Sequence, residues 1–131
     1  MAYLLDTDIF VYLTKNHREI INQIETVGRE NVFLSSITLG ELYYGAFHSD
    51  NVSLSLDLLN KNLEETNILN FNKSAAKIFG RLKAALRKNG NPIEDFDVAI
   101  ASIALHNDYI LVTHNTRHFE NIPELTIEDW S

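Results

Sequence analysis

The stretch 3-YLLDTDIFVYL-13 decides how the rest of the chain is read. It is apolar except at Asp6, Thr7 and Asp8, where two carboxylates bracket a hydroxyl in what should be core. Residues 3 to 6 read as a buried strand, and Ile9, Phe10, Tyr12 and Leu13 then recur at helical spacing. A strand therefore runs directly into a helix, with the acidic residues at the junction. The same step repeats downstream. The run 32-VFLSSI-37 predicts a second strand, and 38-TLGELYYGAF-47 sets Leu39, Leu42, Tyr43, Ala46 and Phe47 on one helical face.

Between these units, Ile20, Ile21, Ile24 and Val27 predict a helix that stops at Gly28. A helix over 50–64 and a short strand over 67–71 come next. The segment 74-SAAKIFGRLKAALRKNG-90 predicts a helix with an apolar stripe of Ala75, Ile78, Phe79, Leu82 and Leu86, ended by Gly90 and Pro92. The run 97-DVAIASIALHN-107 predicts an apolar helix, 109-YILVT-113 a fully buried strand, and 125-LTIED-129 a last strand at an edge. Strands alternating with helices require crossovers that return the chain to the same edge, so the strands are parallel and the class is α/β.

Composition narrows the function. A chain of 131 residues without repeats or low-complexity runs predicts a single domain over 1–131. The absence of cysteine excludes thiolate nucleophiles and Cys-based zinc sites and fits a reducing, cytoplasmic setting. No apolar run is long enough for a signal peptide or a membrane span, so no membrane partner is expected. A formal charge of −7 argues against a general nucleic-acid coating protein. Yet six of the basic residues, Lys73, Lys77, Arg81, Lys83, Arg87 and Lys88, crowd into the helix predicted over 74–90 and its approach. By itself such a stripe is a solvated helix face.

In open α/β sheets ligands bind outside the carboxyl ends of the strands. Asp6, Asp8, Glu41, Asp95, Asp97, Thr113 and Asn115 all map to that rim. Carboxylates gathered there repel one another, at about 4 kcal/mol for unit charges ~4 Å apart at an effective dielectric near 20. They must take up protons or bind a cation. Oxygen donors without His or Cys at matching spacing favour Mg2+ or Mn2+ over zinc.

Each position also has a structural role to weigh. Asp8 suits a helix N-cap, Thr38-Leu-Gly-Glu41 spells a capping box, and Asp95 suits a cap that leaves Asp97 free to point into the site. Thr7 begins the turn, and Thr113 and Asn115 suit ordinary turn positions. His114 and His118 are spaced i, i+4 but lie in a predicted loop, which speaks against a zinc pair. His17, His48 and His106 fall near helix ends.

With these residues in place, the chain resembles the PIN-domain ribonucleases, specifically the VapC-type toxins of bacterial toxin–antitoxin modules. The resemblance rests on YLLDTDIFVYL, SSITLGELYYGA, IEDFDVAIASIAL and YILVTHNTRHFENIPELTIEDW, four blocks in order across nearly the whole chain. It implies a PIN-like three-layer α/β/α sandwich with a mostly parallel central sheet. The family's acidic positions match Asp6, Glu41 and Asp97, and its fourth, an Asp in many relatives, matches Asn115. The resemblance thus implies a Mg2+-dependent endoribonuclease, with Mn2+ able to substitute. Asp6, Glu41 and Asp97 would hold the ion, Asn115 would complete the catalytic set, and Asp8, Asp95, Thr7 and Thr113 would be auxiliary. Water activated by the metal would cleave structured RNA such as tRNA to a 5′-phosphate and a 3′-hydroxyl. Arg117, Lys73, Lys77 and Arg81 are the candidate RNA contacts. A homodimer and a cognate antitoxin covering the acidic pocket are implied as well, with Tyr43, Tyr44 and Phe47 as candidate contacts for that segment.

Two rival readings remain open on sequence alone. The D-x-D at Asp6 and Asp8 also fits a haloacid-dehalogenase-like phosphatase, although Phe10 stands where that family needs Thr or Ser. The other rival is a catalytically silent PIN fold that acts as a binding module.

Overall fold

The computed structural model describes residues 1–131. Five short strands, β1 (Tyr3–Leu5), β2 (Val32–Ser35), β3 (Asn67–Leu69), β4 (Ile110–Val112) and β5 (Ile127–Glu128), form one sheet in the order β3-β2-β1-β4-β5. Every neighbouring pair is parallel. The helices are α1 (Thr7–Thr14), α2 (Arg18–Val27), α3 (Ser36–Phe47), α4 (Val52–Leu63), α5 (Lys73–Lys88) and α6 (Asp95–Asn107). None is long and apolar enough to cross a membrane.

Alternation along the strands builds two cores. Leu4 and Leu111, paired in register, point to one face and pack with Ala75, Leu82 and Leu86 of α5 and Val98 to Ala104 of α6. Leu5, Leu34 and Val112 point to the other, against Ile9 and Phe10 of α1 and Ile20 and Ile24 of α2. The α/β/α layering expected from the resemblance is therefore present, and the sheet is wholly parallel. Helix α6 is buried over seven consecutive residues, from Val98 to Ala104, which is why its sequence carries almost no polar face.

Several helix starts differ from the sequence reading. The N-cap of α1 is Asp6, not Asp8, and Asp6 Oδ1 accepts from the Thr7 amide at 2.9 Å. Strand β2 ends two residues short of the predicted 37, because the buried Ser35 hydroxyl caps α3 by accepting from the Thr38 amide at 3.0 Å. The Thr38-to-Glu41 capping box consequently does not form. The N-cap of α6 is Glu94, without a side-chain bond, and Asp95 instead meets Lys83 Nζ at 3.0 Å. Between the two strand–helix units, α2 stops at Gly28, whose φ of +92° is strained for any residue with a Cβ.

The connectivity positions the site. From β1 the chain moves outward through β2 and β3, then crosses back to add β4 and β5 on the opposite side. The switch point lies between β1 and β4, where the connections leaving two adjacent strands part to opposite faces of the sheet. Asp6 follows β1 there, its amide bonded to the Val112 carbonyl at 2.8 Å.

Candidate active site

Asp6 is buried and held at both oxygens. Oδ1 takes the Thr7 amide, and Oδ2 takes the Thr113 hydroxyl at 2.8 Å. Thr113, fully buried at the end of β4, in turn accepts from the Asn115 amide at 3.0 Å. Burial pushes the Asp6 carboxyl above the ordinary carboxylate range, and the bonds from Thr113 and Thr7 offset part of that.

Asp8, in the first turn of α1, reaches the segment after β4. Its Oδ2 accepts from the His114 amide at 3.2 Å and from Asn115 Nδ2 at 3.1 Å. Its Oδ1 is buried without a hydrogen-bond partner. Burial, then the charge of Asp6, raise its pKa to about 6. Asp97, in the first turn of α6, is raised by burial and by Asp6 too. Asp8 and Asp97, from two segments distant in sequence, thus both feel the charge of Asp6.

Glu41 joins through Thr7. The Thr7 hydroxyl donates to Glu41 Oε1 at 2.8 Å and lies 3.0 Å from the Thr38 hydroxyl, from which it accepts. This contact explains the middle residue of the opening motif: Thr7 carries its amide to Asp6 and its hydroxyl to Glu41.

The residue that sequence reasoning missed is His118. Its Nδ1 lies 3.1 Å from Asp97 Oδ2, and against an ionised carboxylate that nitrogen carries the proton. Asn115 reaches Asp8 instead, so the position beside Asp97 is filled by an imidazole. His114 is occupied elsewhere, 2.8 Å from the Ser131 hydroxyl and 3.3 Å from Asp129. The two histidines hold separate partners. The spacing that made them a pair hid the real partner of His118, which lies 21 residues upstream.

The other predicted residues divide. Asp95 is exposed and engaged with Lys83, away from the carboxylates. Arg81 pairs with Glu124 at 2.9 Å. Lys73 and Lys77 are exposed and touch no rim residue. Arg117, in the short turn Thr116–His118, stands next to His118. Of the four candidate RNA contacts, the structure brings only Arg117 to the rim.

The donor set suits a hard divalent cation. Asp6, Asp8, Asp97 and Glu41 offer oxygens, the first three carry charge that a cation would relieve, and Asp8 Oδ1 is a buried acceptor that nothing satisfies. As the side chains lie, no three of them converge on one point.

A family model described as PIN domain matches residues 3–125. The chain belongs to the PIN-domain family. Among similar proteins is the Ribonuclease VapC1 of Haemophilus influenzae strain R2866, 35% identical over all of this chain and 99% of that one. The tRNA(fMet)-specific endonuclease VapC of Shigella flexneri is 33% identical over 100% and 99% of the two chains. A crystal structure of DNA-bound VapBC from Salmonella typhimurium superposes with a TM-score of 0.93 at 32% identity, over 100% of this chain and 99% of that one. This PIN domain is thus of the VapC type, a nuclease class. The family match displaces the phosphatase reading, in keeping with Phe10, which is buried core where that reading needs a hydroxyl.

Proposed function

We propose that the chain is a divalent-metal-dependent endoribonuclease toxin, acting on structured RNA such as tRNA and held inactive by a cognate antitoxin. The observation that carries this is the crowding of Asp6, Asp8 and Asp97 at the β1/β4 switch point, with every one of their carboxyls pushed upward. A purely structural cap does not need that charge.

Asp6 and Asp97, with Glu41 through its free oxygen, are the side chains to hold Mg2+ or Mn2+, and the unpartnered Oδ1 of Asp8 is a further donor. Once bound, the cation lowers the pKa of water and stabilises charge developing on the phosphoryl oxygens. The protein's own part is orientation. Thr7 and Thr113 fix Asp6 in one rotamer, Asn115 and the His114 amide fix Asp8, and His118 fixes Asp97. Such outer partners set both the direction and the basicity of the ligands. No side-chain nucleophile is required.

The antitoxin reading is supported by the surface beside Glu41. An open groove between α1, α3 and α4 runs from Thr7 and Glu41 past Phe10, Leu42 and Leu58. Tyr44 and Phe47, 69% and 62% exposed, lie on the same helix, whereas Tyr43 is half-buried with its hydroxyl 3.1 Å from Asn60. A partner segment lying in that groove would end over the carboxylates. The homodimer belongs to the same reading and is read by light scattering.

RNA ends sequenced after brief induction of wild type and Asp97→Asn test the function. New 5′-phosphate ends in a small set of RNAs, present only with wild type, are expected. Equal inactivity of both proteins on RNA with Mn2+, with binding of a partner helix retained, would establish the silent binding module instead.

A further inference from the structure

Beside Asp97 lies a second recess, more polar than the groove along α1, α3 and α4. It encloses about 800 Å3 including its open mouth, and only one of its nine lining residues is hydrophobic. Asn91 and Glu94, from the loop between α5 and α6, form one wall. Arg117, His118 and Asn121, which follow β4, form the other, and Asp97 of α6 lines the recess as well. The space within it that water can fill, about 450 Å3, is within the range of about 300 to 1,000 Å3 common for small-molecule sites.

Three features define what this recess can bind. Arg117 is exposed and makes no ion pair, although Glu94 lines the same space, so the fork of guanidinium donors is free for a phosphate. Asn91 and Asn121 line it with side-chain amides, each a donor and an acceptor, the groups that read the edge of an unpaired base. His118 and Asp97 belong both to the recess and to the carboxylate cluster, so whatever fills the recess abuts those carboxylates.

We propose that this recess is the subsite for one unpaired ribonucleotide next to the cleaved phosphodiester, with Arg117 on its phosphate and Asn91 and Asn121 on its base. The inference rests on the ribonuclease reading and adds to it the location where sequence is sensed. It also accounts for an acidic protein handling a polyanion with so few cations at the rim: the metal neutralises one phosphate and Arg117 the next.

The test uses single-stranded RNA octamers of uniform sequence, with chelator present so that no metal binds and no cleavage occurs. Binding is followed by fluorescence anisotropy across a salt series, and by amide chemical shifts of the labelled protein. In Arg117→Ala the affinity should fall about tenfold, and the slope of log K against log salt should decrease by about 0.7, the loss of one phosphate contact to a single strand. Arg18→Ala, which removes an exposed charge at the start of α2, should leave both unchanged. Asn121→Ala should keep the salt slope while narrowing the preference among the octamers. Shifts should concentrate in 90–94 and 115–121. Equal weakening by Arg117→Ala and Arg18→Ala, or shifts that avoid the recess, would overturn the subsite while cleavage in cells left the ribonuclease reading standing. Failure of any RNA to bind, together with no new ends in cells, would overturn both.

Discussion

The protein builds the same junction twice, and the two copies use different caps. At β1–α1 and at β2–α3 a buried strand turns into a helix on the same rim of the sheet. The second junction is capped by Ser35, fully buried and neutral, with its hydroxyl on the Thr38 amide. The first is capped by Asp6, nearly as buried but with a carboxyl whose pKa burial has raised. A serine therefore suffices to end a strand and start a helix here. The charge at Asp6 exceeds the structural requirement, and its cost is tolerated for what it does at the site.

Making the first junction like the second is the severest test of this difference. Asp6→Asn keeps an oxygen for the Thr7 amide and removes the charge. Ribonuclease activity should drop at least about 100-fold, since loss of an outer partner of a metal ligand already costs 10- to 100-fold in metal affinity or activity. Without metal, the melting temperature should hold or rise. A variant that melts lower without metal yet keeps its melting shift with Mn2+ would show Asp6 to be structural.

His118 extends the comparison to α6, where it does for Asp97 what Thr113 does for Asp6. His118→Ala should weaken Mn2+ binding by about 10-fold, measured by calorimetry. His118→Asn, which can place an amide nitrogen near the position of Nδ1, should recover most of that. If both variants bind Mn2+ like wild type, the contact does not orient Asp97.

The serine junction should respond only in stability. Ser35→Ala leaves the Thr38 amide without its cap, a loss of about 1 kcal/mol in denaturant unfolding, with Mn2+ binding unchanged. A loss of metal binding would mean that the start of α3 and the carboxylate cluster are one mechanical unit, contrary to the division drawn between the junctions.

The parallel sheet and the rim were legible because hydrophobic period and strand–helix alternation are local signals, whereas the three-layer arrangement followed from the family resemblance. The assignment of roles within each polar cluster was not. Asp6, Thr7 and Asp8 are equally good cap formers in sequence, and the choice is made by partners far along the chain: Thr113 for Asp6, Glu41 for Thr7, His114 and Asn115 for Asp8. Asp95 was lost as a cap to Lys83 on another helix. His118 carried no local signal at all, since its meaning comes from α6 packing beside the turn after β4. Cap identity and ligand orientation are tertiary facts, whereas element type is a local one.

The smallest effect distinguishes Asp8 from its neighbour within the first junction. Its folded pKa of about 6 stands above the ordinary value of 3.8, so the folded state binds its proton more tightly than the unfolded chain does. The stabilisation from that proton is complete below about pH 4 and is lost as the pH rises through 6. The metal-free protein should therefore lose melting temperature from this group between those values, by a modest amount because Asp8 is only half-buried. Asp8→Asn should remove that part of the slope. Mn2+ should flatten it in the wild type, because a bound cation favours the ionised form as the rising pH does. A slope unaltered by both would place the titration on other groups and leave the unpartnered Oδ1 without a role in binding.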